Sequence, residues 1–388
     1  MNKNLLFFCL LFSISTIAQD YRDFAFEIFF GRQPSAKTEA MGRILSVNFD
    51  PYFVSQSNPA NLVSTDGIAL FYSNSSPLYS YTDATYNYAG VSYNDQKFGA
   101  FAFNYLRFNT GITLMSFEEE GPMDIPTYEP SMDLYTLTYS NEIRNWFCFG
   151  INANLFAYNL NKSYSSTFFD VGLSRDFNVV QNSQVKDEIT VGIQLKNIFN
   201  QSFTTIDESQ ADAFPAIFRI GLSNTVEYKE NDLDDDSQLF AFTIGFEYQD
   251  LFNSDFRTAY KAGCELSLLN ILFLRGGYYH ETTIDYGFNS TGQLEEFTYG
   301  AGLKLDFNSR FINEFPLVIF FDYVNLKQPT YITNYNDWDN FTTFSLVANY
   351  RLDSNWIARE FISIDFKLEN LLKLRKWSSF DENMEERF

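Results

Sequence analysis

From residue 297 to 307 the chain reads FTYGAGLKLDF. In an extended strand this puts Phe297, Tyr299, Ala301, Leu303, Leu305 and Phe307 on one face and Thr298, Gly300, Gly302, Lys304 and Asp306 on the other. FAFTIGFEYQ repeats the pattern, with Phe240, Phe242, Ile244, Phe246 and Tyr248 opposite Ala241, Thr243, Gly245, Glu247 and Gln249. A strand needs roughly ten residues to cross a bilayer, whereas strands of soluble sandwiches run nearer five or six. Alternation of this length, greasy on one side and small or charged on the other, predicts a transmembrane β-barrel.

The N-terminus fits that destination. MNKNLLFFCLLFSISTIAQD has Lys3 as a basic start, an apolar core from Leu5 to Phe12, and Thr16 and Ala18 at the small positions before a cut, so residues 1–18 read as a signal peptide. Cys9 lies too early in the apolar run to accept a lipid. No later segment supplies the roughly 18 consecutive apolar residues of a spanning helix, so the chain must cross with strands. Aromatics make up 19% of the residues, with 44 Phe and 25 Tyr, which suits a lipid-facing band and interfacial girdles. The net charge of -22 leaves no basic patch for nucleic acid.

Counting alternating runs between turn signals gives about 14 strands, near 66–73, 84–94, 97–107, 131–140, 146–158, 163–176, 187–197, 215–227, 239–249, 258–268, 270–279, 294–305, 316–326 and 340–351. The expected fold is thus all-β, an antiparallel transmembrane barrel over residues 66–352. Short connections at 94–97, 141–145 and around Leu269 alternate with long ones at 108–130, 198–214, 280–293 and 327–339. Three more, at 177–186, 228–238 and 306–315, are moderately long on the short-turn side. Short turns belong to the periplasmic side of such barrels and long loops to the outside. An even strand number then leaves both termini periplasmic. Residues 19–65 do not read as strands: Ala36 to Leu45 suits a short helix, Asp50-Pro51 and Asn58-Pro59 break the chain, and the barrel mouth is the natural place for such a plug. Residues 353–388 form a tail in which Leu368, Leu371 and Leu372, with Trp377 and several Lys and Arg, suggest an amphipathic helix able to dock a periplasmic partner.

Enzyme chemistry finds little support. His280 is the single histidine and falls in an expected outer loop. Nucleophile-elbow, phosphate-loop and dinucleotide motifs are missing, and no metal or cofactor site is expected. Cys148 and Cys264 lie within strand patterns and read as small packed side chains. Asp232, Asp234, Asp235 and Asp236 offer hard-cation ligands, but a solvated acidic turn explains them as well. Arg219, Glu247, Lys261, Glu265, Arg275, Lys304 and Asp306 face inward. They either pair with one another and with the plug, or line a permeation path.

Taken together, EAMGRILSVNFDPYFVSQSNPANLV (39–63), VGIQLKNIFNQ (191–201), FPAIFRIGLS (214–223) and LFLRGGYYH (272–280), in this order with the 297–307 segment, resemble the PorV/PorQ branch of FadL-like outer-membrane proteins. The resemblance spans about residues 36–352 and places Met41, Gly42, Asn58, Pro59 and Ala60 in the hatch signature. It implies a 14-stranded outer-membrane barrel without enzymatic activity or cofactor, associated with type IX secretion. Its partners would be secreted cargo carrying a C-terminal signal domain, the large translocon barrel, or both. The aromatic stretch YRDFAFEIFFGRQP and the basic tail depart from the family pattern.

Two other readings stay open: a FadL-like transporter of hydrophobic small molecules, and a structural barrel anchoring a periplasmic or surface assembly. In the loop FNTGITLMSFEEEGPMDIPTYEP, Ile112, Leu114, Met115, Phe117 and Ile125 are candidate partner contacts, because exposed apolar residues are costly; folding back over the mouth would serve equally.

Overall fold

A computed structural model describes residues 34–351 except 77–84, 96–97, 110–113, 116–126, 129–130, 144–145, 160–162, 183, 200–201, 205–210, 214–215, 230–237, 252–257, 286–289, 308–315 and 332–333. The expected signal peptide, the acidic turn at 232–236, Ile112, Phe117, Ile125, and the tail with Leu368, Leu371, Leu372 and Trp377 lie outside the described residues.

Fourteen antiparallel strands close into one barrel. They are β1 Gly67–Ser76, β2 Thr85–Asp95, β3 Gly99–Asn109, β4 Ser131–Ile143, β5 Phe147–Asn159, β6 Ser163–Gln181 and β7 Val185–Lys196. The second half is β8 Ile217–Lys229, β9 Gln238–Leu251, β10 Ala259–Leu268, β11 Leu272–Asp285, β12 Ser290–Asp306, β13 Leu317–Tyr331 and β14 Asn334–Tyr350. Each strand pairs with its neighbours in sequence, and β1 closes on β14 with Ile68 opposite Tyr350 and Phe71 opposite Val347. Closure leaves no sheet edge, which a bilayer would not tolerate. Among the described residues, no helix is long and apolar enough to cross a membrane.

Period-two alternation sets the two faces. In β12, Phe297 is 77% exposed while its neighbour Thr298 is 2% exposed. Leu70, Leu137, Phe103, Phe242, Phe246 and Leu274 point outward in the same way. An apolar outer surface running round the whole barrel is unstable in water and matched to acyl chains. Aromatic pairs brace it across strands, as in Tyr105–Tyr135 at 5.0 Å between ring centroids and Phe101–Tyr139 at 5.0 Å.

Several sequence boundaries are corrected. The segment 280–293 is mostly strand, because β11 runs to Asp285 and β12 starts at Ser290; His280 therefore sits in a ladder, where its Nδ1 lies 2.8 Å from Glu295. Likewise 327–339 is nearly all strand, with Lys327 opposite Asn340. Both hairpins continue past the apolar band with polar residues, which keep backbone pairing but lose the hydrophobic alternation. On the other side, β6 runs to Gln181 and β7 starts at Val185, so the expected hinge at 177–186 is a tight turn in which Asn182 accepts from the N–H groups of Gln184 and Val185. Cys264 is exposed on the outer face rather than packed, and Cys148 is partly exposed; both are free thiols. Leu114–Met115 pairs with Thr127–Tyr128, and Ser202–Thr204 with Ala211–Ala213, as two small ladders outside the barrel sheet.

Candidate functional site: the luminal segment and its seat

Residues 34–66 fill the lumen. Ser35 caps helix α1 (Ala36–Ala40) by accepting from Thr38 N–H. The expected helix to Leu45 ends early because Gly42 and Arg43 take φ of 69° and 62°, which turn the chain against the wall. The chain then crosses to a second wall, where Asn58 caps a 3-10 helix (Pro59–Ser64) through Ala60 N–H with Pro59 at its first turn, and Thr65 and Asp66 lead into β1.

The wall is shaped to receive this segment. Gly150 on β5, Gly172 on β6, Gly192 on β7, Gly221 on β8, Gly263 on β10 and Gly277 on β11 all turn toward it. A Cβ at any of these six would come within 3.0 Å of Pro59, Asn58, Ser46, Ser46, Met41 and Gly42 respectively. Several are cross-strand partners: Gly150 with Gly172, Gly192 with Gly221, and Gly263 with both its neighbour Gly245 and Gly277. The result is a belt at mid-height where wall backbone and segment backbone touch directly.

Polar side chains fasten the segment to this belt in every sector. One Glu247 oxygen accepts from Leu45 N–H at 2.7 Å, Ser46 N–H at 2.6 Å and the Ser46 hydroxyl at 2.7 Å, while its other oxygen takes Lys261 Nζ at 2.7 Å. Asn58 Nδ2 donates to Ser46 O at 2.8 Å and to the wall carbonyls of Leu173 and Ile193 at 2.9 and 3.2 Å. Asn152 holds Val54 O, Gln194 holds Ser57 O, Ser140 holds Ala60 O, Thr298 holds Ala40 O and Asn94 holds Val63 O. Lys37 reaches Glu265 at 3.5 Å, and Glu265 also binds Arg275, which bridges to Asp322. Arg43 pairs with Glu39 at 2.8 Å and lies 4.2 Å over the ring of Tyr279. Asp50 is buried, accepts from the Ser35 hydroxyl and from Tyr52 N–H, and has no ion-pair partner among the described residues. Burial pushes its carboxyl up to about 6; the Ser35 hydroxyl and Lys37 oppose the shift, and nearby Asp322 adds to it.

Apolar packing adds to this: Met41, Ile44, Val47 and Phe49 form one buried cluster, Val54 and Leu62 meet Ala100 and Ala102 in another, and Tyr52 and Phe53 pack on Phe71 and Tyr88. On the long-loop side of the segment the inner wall is greasy, with Leu106, Phe108, Met132, Leu134 and Phe156 all fully buried.

Of the residues singled out in the sequence, Met41, Gly42, Asn58, Pro59 and Ala60 come together on the belt, and the inward charges Glu247, Lys261, Glu265 and Arg275 are paired. Asp306 pairs with Arg351 at 3.4 Å, and Lys304 lies 5.8 Å over the ring of Phe320. Leu114 and Met115 sit apart in their small ladder. Sequence reasoning missed Gln56, Gln194, Lys196 and Gln249, which join Arg219 at the segment. The recurrence of one inward glycine per strand at matching height was the signal for the belt. Among the described residues no group of His, Cys, Asp and Glu is placed to hold a metal.

No family model matches this chain, and no curated protein does. Among solved structures, the Pseudomonas putida toluene transporter TodX aligns over 83% of this chain and 98% of its own at 9% identity and TM-score 0.43. The CymD monoaromatic hydrocarbon channel aligns over 82% and 98% at 9% identity and TM-score 0.44. A Pseudomonas aeruginosa FadL homologue aligns over 83% and 99% at 10% identity and TM-score 0.44. Likeness at this level assigns this chain neither ligand nor partner.

Proposed function

We propose that this chain is an outer-membrane channel for small apolar molecules, with both chain termini on the periplasmic side and residues 34–66 acting as a displaceable hatch. The observation that carries this reading is the seating of the segment. Hydrogen bonds and ion pairs, which water can replace one by one, fasten it to the wall beside two small apolar clusters, and it lies beneath an inner wall of Leu106, Phe108, Met132, Leu134 and Phe156.

The test is a reversible trap. Lys37 of the segment reaches Glu265 of the wall at 3.5 Å. A Lys37→Cys/Glu265→Cys pair, with Cys148 and Cys264 replaced by Ser, should be bridged by a short bis-methanethiosulfonate reagent, stop uptake of an apolar dye into proteoliposomes, and regain it on reduction. Equal flux in both states rejects the hatch.

A second reading comes from the resemblance of residues 36–352 to PorV/PorQ proteins. On it, the barrel serves type IX secretion, binding cargo signal domains or the translocon barrel through Ile112, Leu114, Met115, Phe117 and Ile125, and a periplasmic partner through Leu368, Leu371, Leu372 and Trp377. Purification from native outer membranes in mild detergent separates the readings. A giant barrel or signal-domain cargo recovered with the full chain, and lost when 353–388 are deleted, favours secretion; a lone barrel carrying apolar molecules favours the channel.

A further inference from the structure

Closure removes the sheet edge within the bilayer, but a free edge survives on the short-turn side. Ser174, opposite Cys148, is the last residue of β6 that pairs with β5, because the β4–β5 hairpin turns back between Ile143 and Phe147. Residues 175–181 of β6 pair with β7, through a bulge at Val179, and among the described residues no strand lies along their other side. By comparison, β4 outruns β3 only by residues 141–143. The long overhang is apolar where it is most accessible. Phe177, Val179 and Val180 are 41%, 55% and 41% exposed, and Trp146 in the neighbouring turn is 67% exposed. The Arg175 guanidinium lies 4.6 Å over the Phe177 ring. An open edge flanked by exposed apolar side chains is a template for a further strand.

The chain leaves the barrel within reach of this edge. β14 arrives at the short-turn side at Tyr350, Arg351 N–H bonds Pro316 O, and residues 352–388 follow outside the described residues. Their sequence holds a run with a period of two, ISIDFK at 362–367, in which Ile362, Ile364 and Phe366 alternate with Ser363, Asp365 and Lys367. From β14 to β6 is six strand spacings, about 29 Å along the wall. The chain from Arg351 to Ile362 spans about 36 Å when extended, which is enough. The other aromatic run, FAFEIFF at 24–30, falls short. Helix α1 lies against β10 and β12 through Lys37–Glu265 and Ala40–Thr298, at least four spacings or about 19 Å from β6, whereas Phe30 to Pro34 extends about 13 Å.

We propose that residues 362–367 dock as an added antiparallel strand on the free edge of β6, so that the chain covers its own overhang with its tail. The thirteen bonds β6 makes to β7 are not needed for this; the edge facing away from β7 supplies the main-chain donors and acceptors. With Lys367 opposite Asp176, Phe366 falls opposite Phe177 and Ile364 beside Val179. Opposite charges then meet on one face and apolar side chains on the other. Asp176 accepts from the Thr190 hydroxyl at 2.6 Å, which holds its carboxylate on the inner face. A slip of one residue sets Lys367 against Arg175 or Phe177 and exchanges the faces, so the register is specified. The inference goes beyond the channel reading and needs no movement of the hatch.

The test uses the full chain in native outer membranes, with Cys148 and Cys264 replaced by Ser. A Phe177→Cys/Phe366→Cys pair should be bridged within one chain by a short bis-methanethiosulfonate reagent, read as a band of altered mobility and as the linked peptide by mass spectrometry. A Phe177→Cys/Leu372→Cys pair lies outside the register and should bridge at least about tenfold more slowly. Deleting residues 353–388 should raise maleimide labelling of Phe177→Cys at least about tenfold, in membranes and after purification alike. Phe177 is exposed, so its replacement leaves the barrel core untouched. A link between two chains means that a second copy supplies the strand, and equal bridging at 366 and 372 means an untethered tail. Labelling unchanged by the truncation, or protection that vanishes on purification of the full chain, means that the edge is bare or covered by a separate partner. Each of these four results overturns the proposal, and none of them bears on whether the hatch moves.

Discussion

Replacing Glu247 by alanine should unlatch the hatch. The carboxylate takes three hydrogen bonds from the segment, two from the successive N–H groups of Leu45 and Ser46 and one from the Ser46 hydroxyl. Hydrogen bonds to a charged group contribute about 1.5–3 kcal/mol each. Taking the lower bound, because water enters the vacated space, the three sum to about 4.5 kcal/mol. Every 1.4 kcal/mol is a factor of ten, so the open fraction should rise on the order of a thousandfold. Lys261 is buried and keeps only the neutral Gln249 Oε1 at 2.9 Å once its carboxylate is gone, so the variant is made together with Lys261→Met, which removes the stranded charge and should let the barrel survive. The assay is single-channel recording in planar bilayers, with a chain lacking residues 34–66 as the fully open standard. Glu247→Gln keeps an acceptor without the charge and should fall between the two. An alanine variant as quiet as the wild type would refute the assignment of Glu247 as the latch.

Gly263→Ala should lower Tm by several degrees in thermal unfolding, because its Cβ strikes Met41 backbone; Gly276→Ala, whose Cβ meets nothing nearer than 3.9 Å, should leave Tm unchanged. The Asp50 carboxyl, raised to about 6 from 3.8, makes the seated segment more stable below pH 4 than above pH 6. At about 1.4 kcal/mol per unit, roughly 3 kcal/mol is lost between those limits as the pH rises. Protease protection of the segment against pH should show the loss, and Asp50→Asn should flatten the curve. Labelling with a membrane-impermeant maleimide in proteoliposomes should spare Cys264, which the lipid covers, and detergent extraction should not change the barrel fold; rapid labelling in the bilayer would place β10 wrongly.

The barrel was legible because lipid outside and polar lumen inside force a period of two on every strand, and all fourteen expected strands find a counterpart. The errors occur where that pressure ends. Beyond the bilayer band, Glu281, Thr282 and Thr283 stand opposite Leu294, Gln293 and Gly292 in the ladder, and their sequence carries no apolar rhythm to mark them as strand. Phe177 and Val180 on the opposite side do continue the strand, but a bulge between Asn178 and Val180 breaks the alternation. The helix was overestimated because no propensity rule anticipates Arg43 at positive φ. Inward charges were visible one strand at a time; what they bind was not. Gln56 touching Lys196 and Arg219 joins residues more than 130 positions apart.

The glycine belt also constrains how the molecule is assembled. The segment is threaded through the lumen, tied to Glu247 and Asn58 contacts on both walls, and joined covalently to β1, which is one side of the seam with β14. It is translated before every strand, and the seam joins the first strand to the last. A barrel that sealed with its lumen empty would have to reopen to admit a chain that touches the wall backbone at six places. The contacts favour strands closing around a segment already in position, so that a chain lacking residues 34–66 should assemble into the membrane more slowly than the full chain.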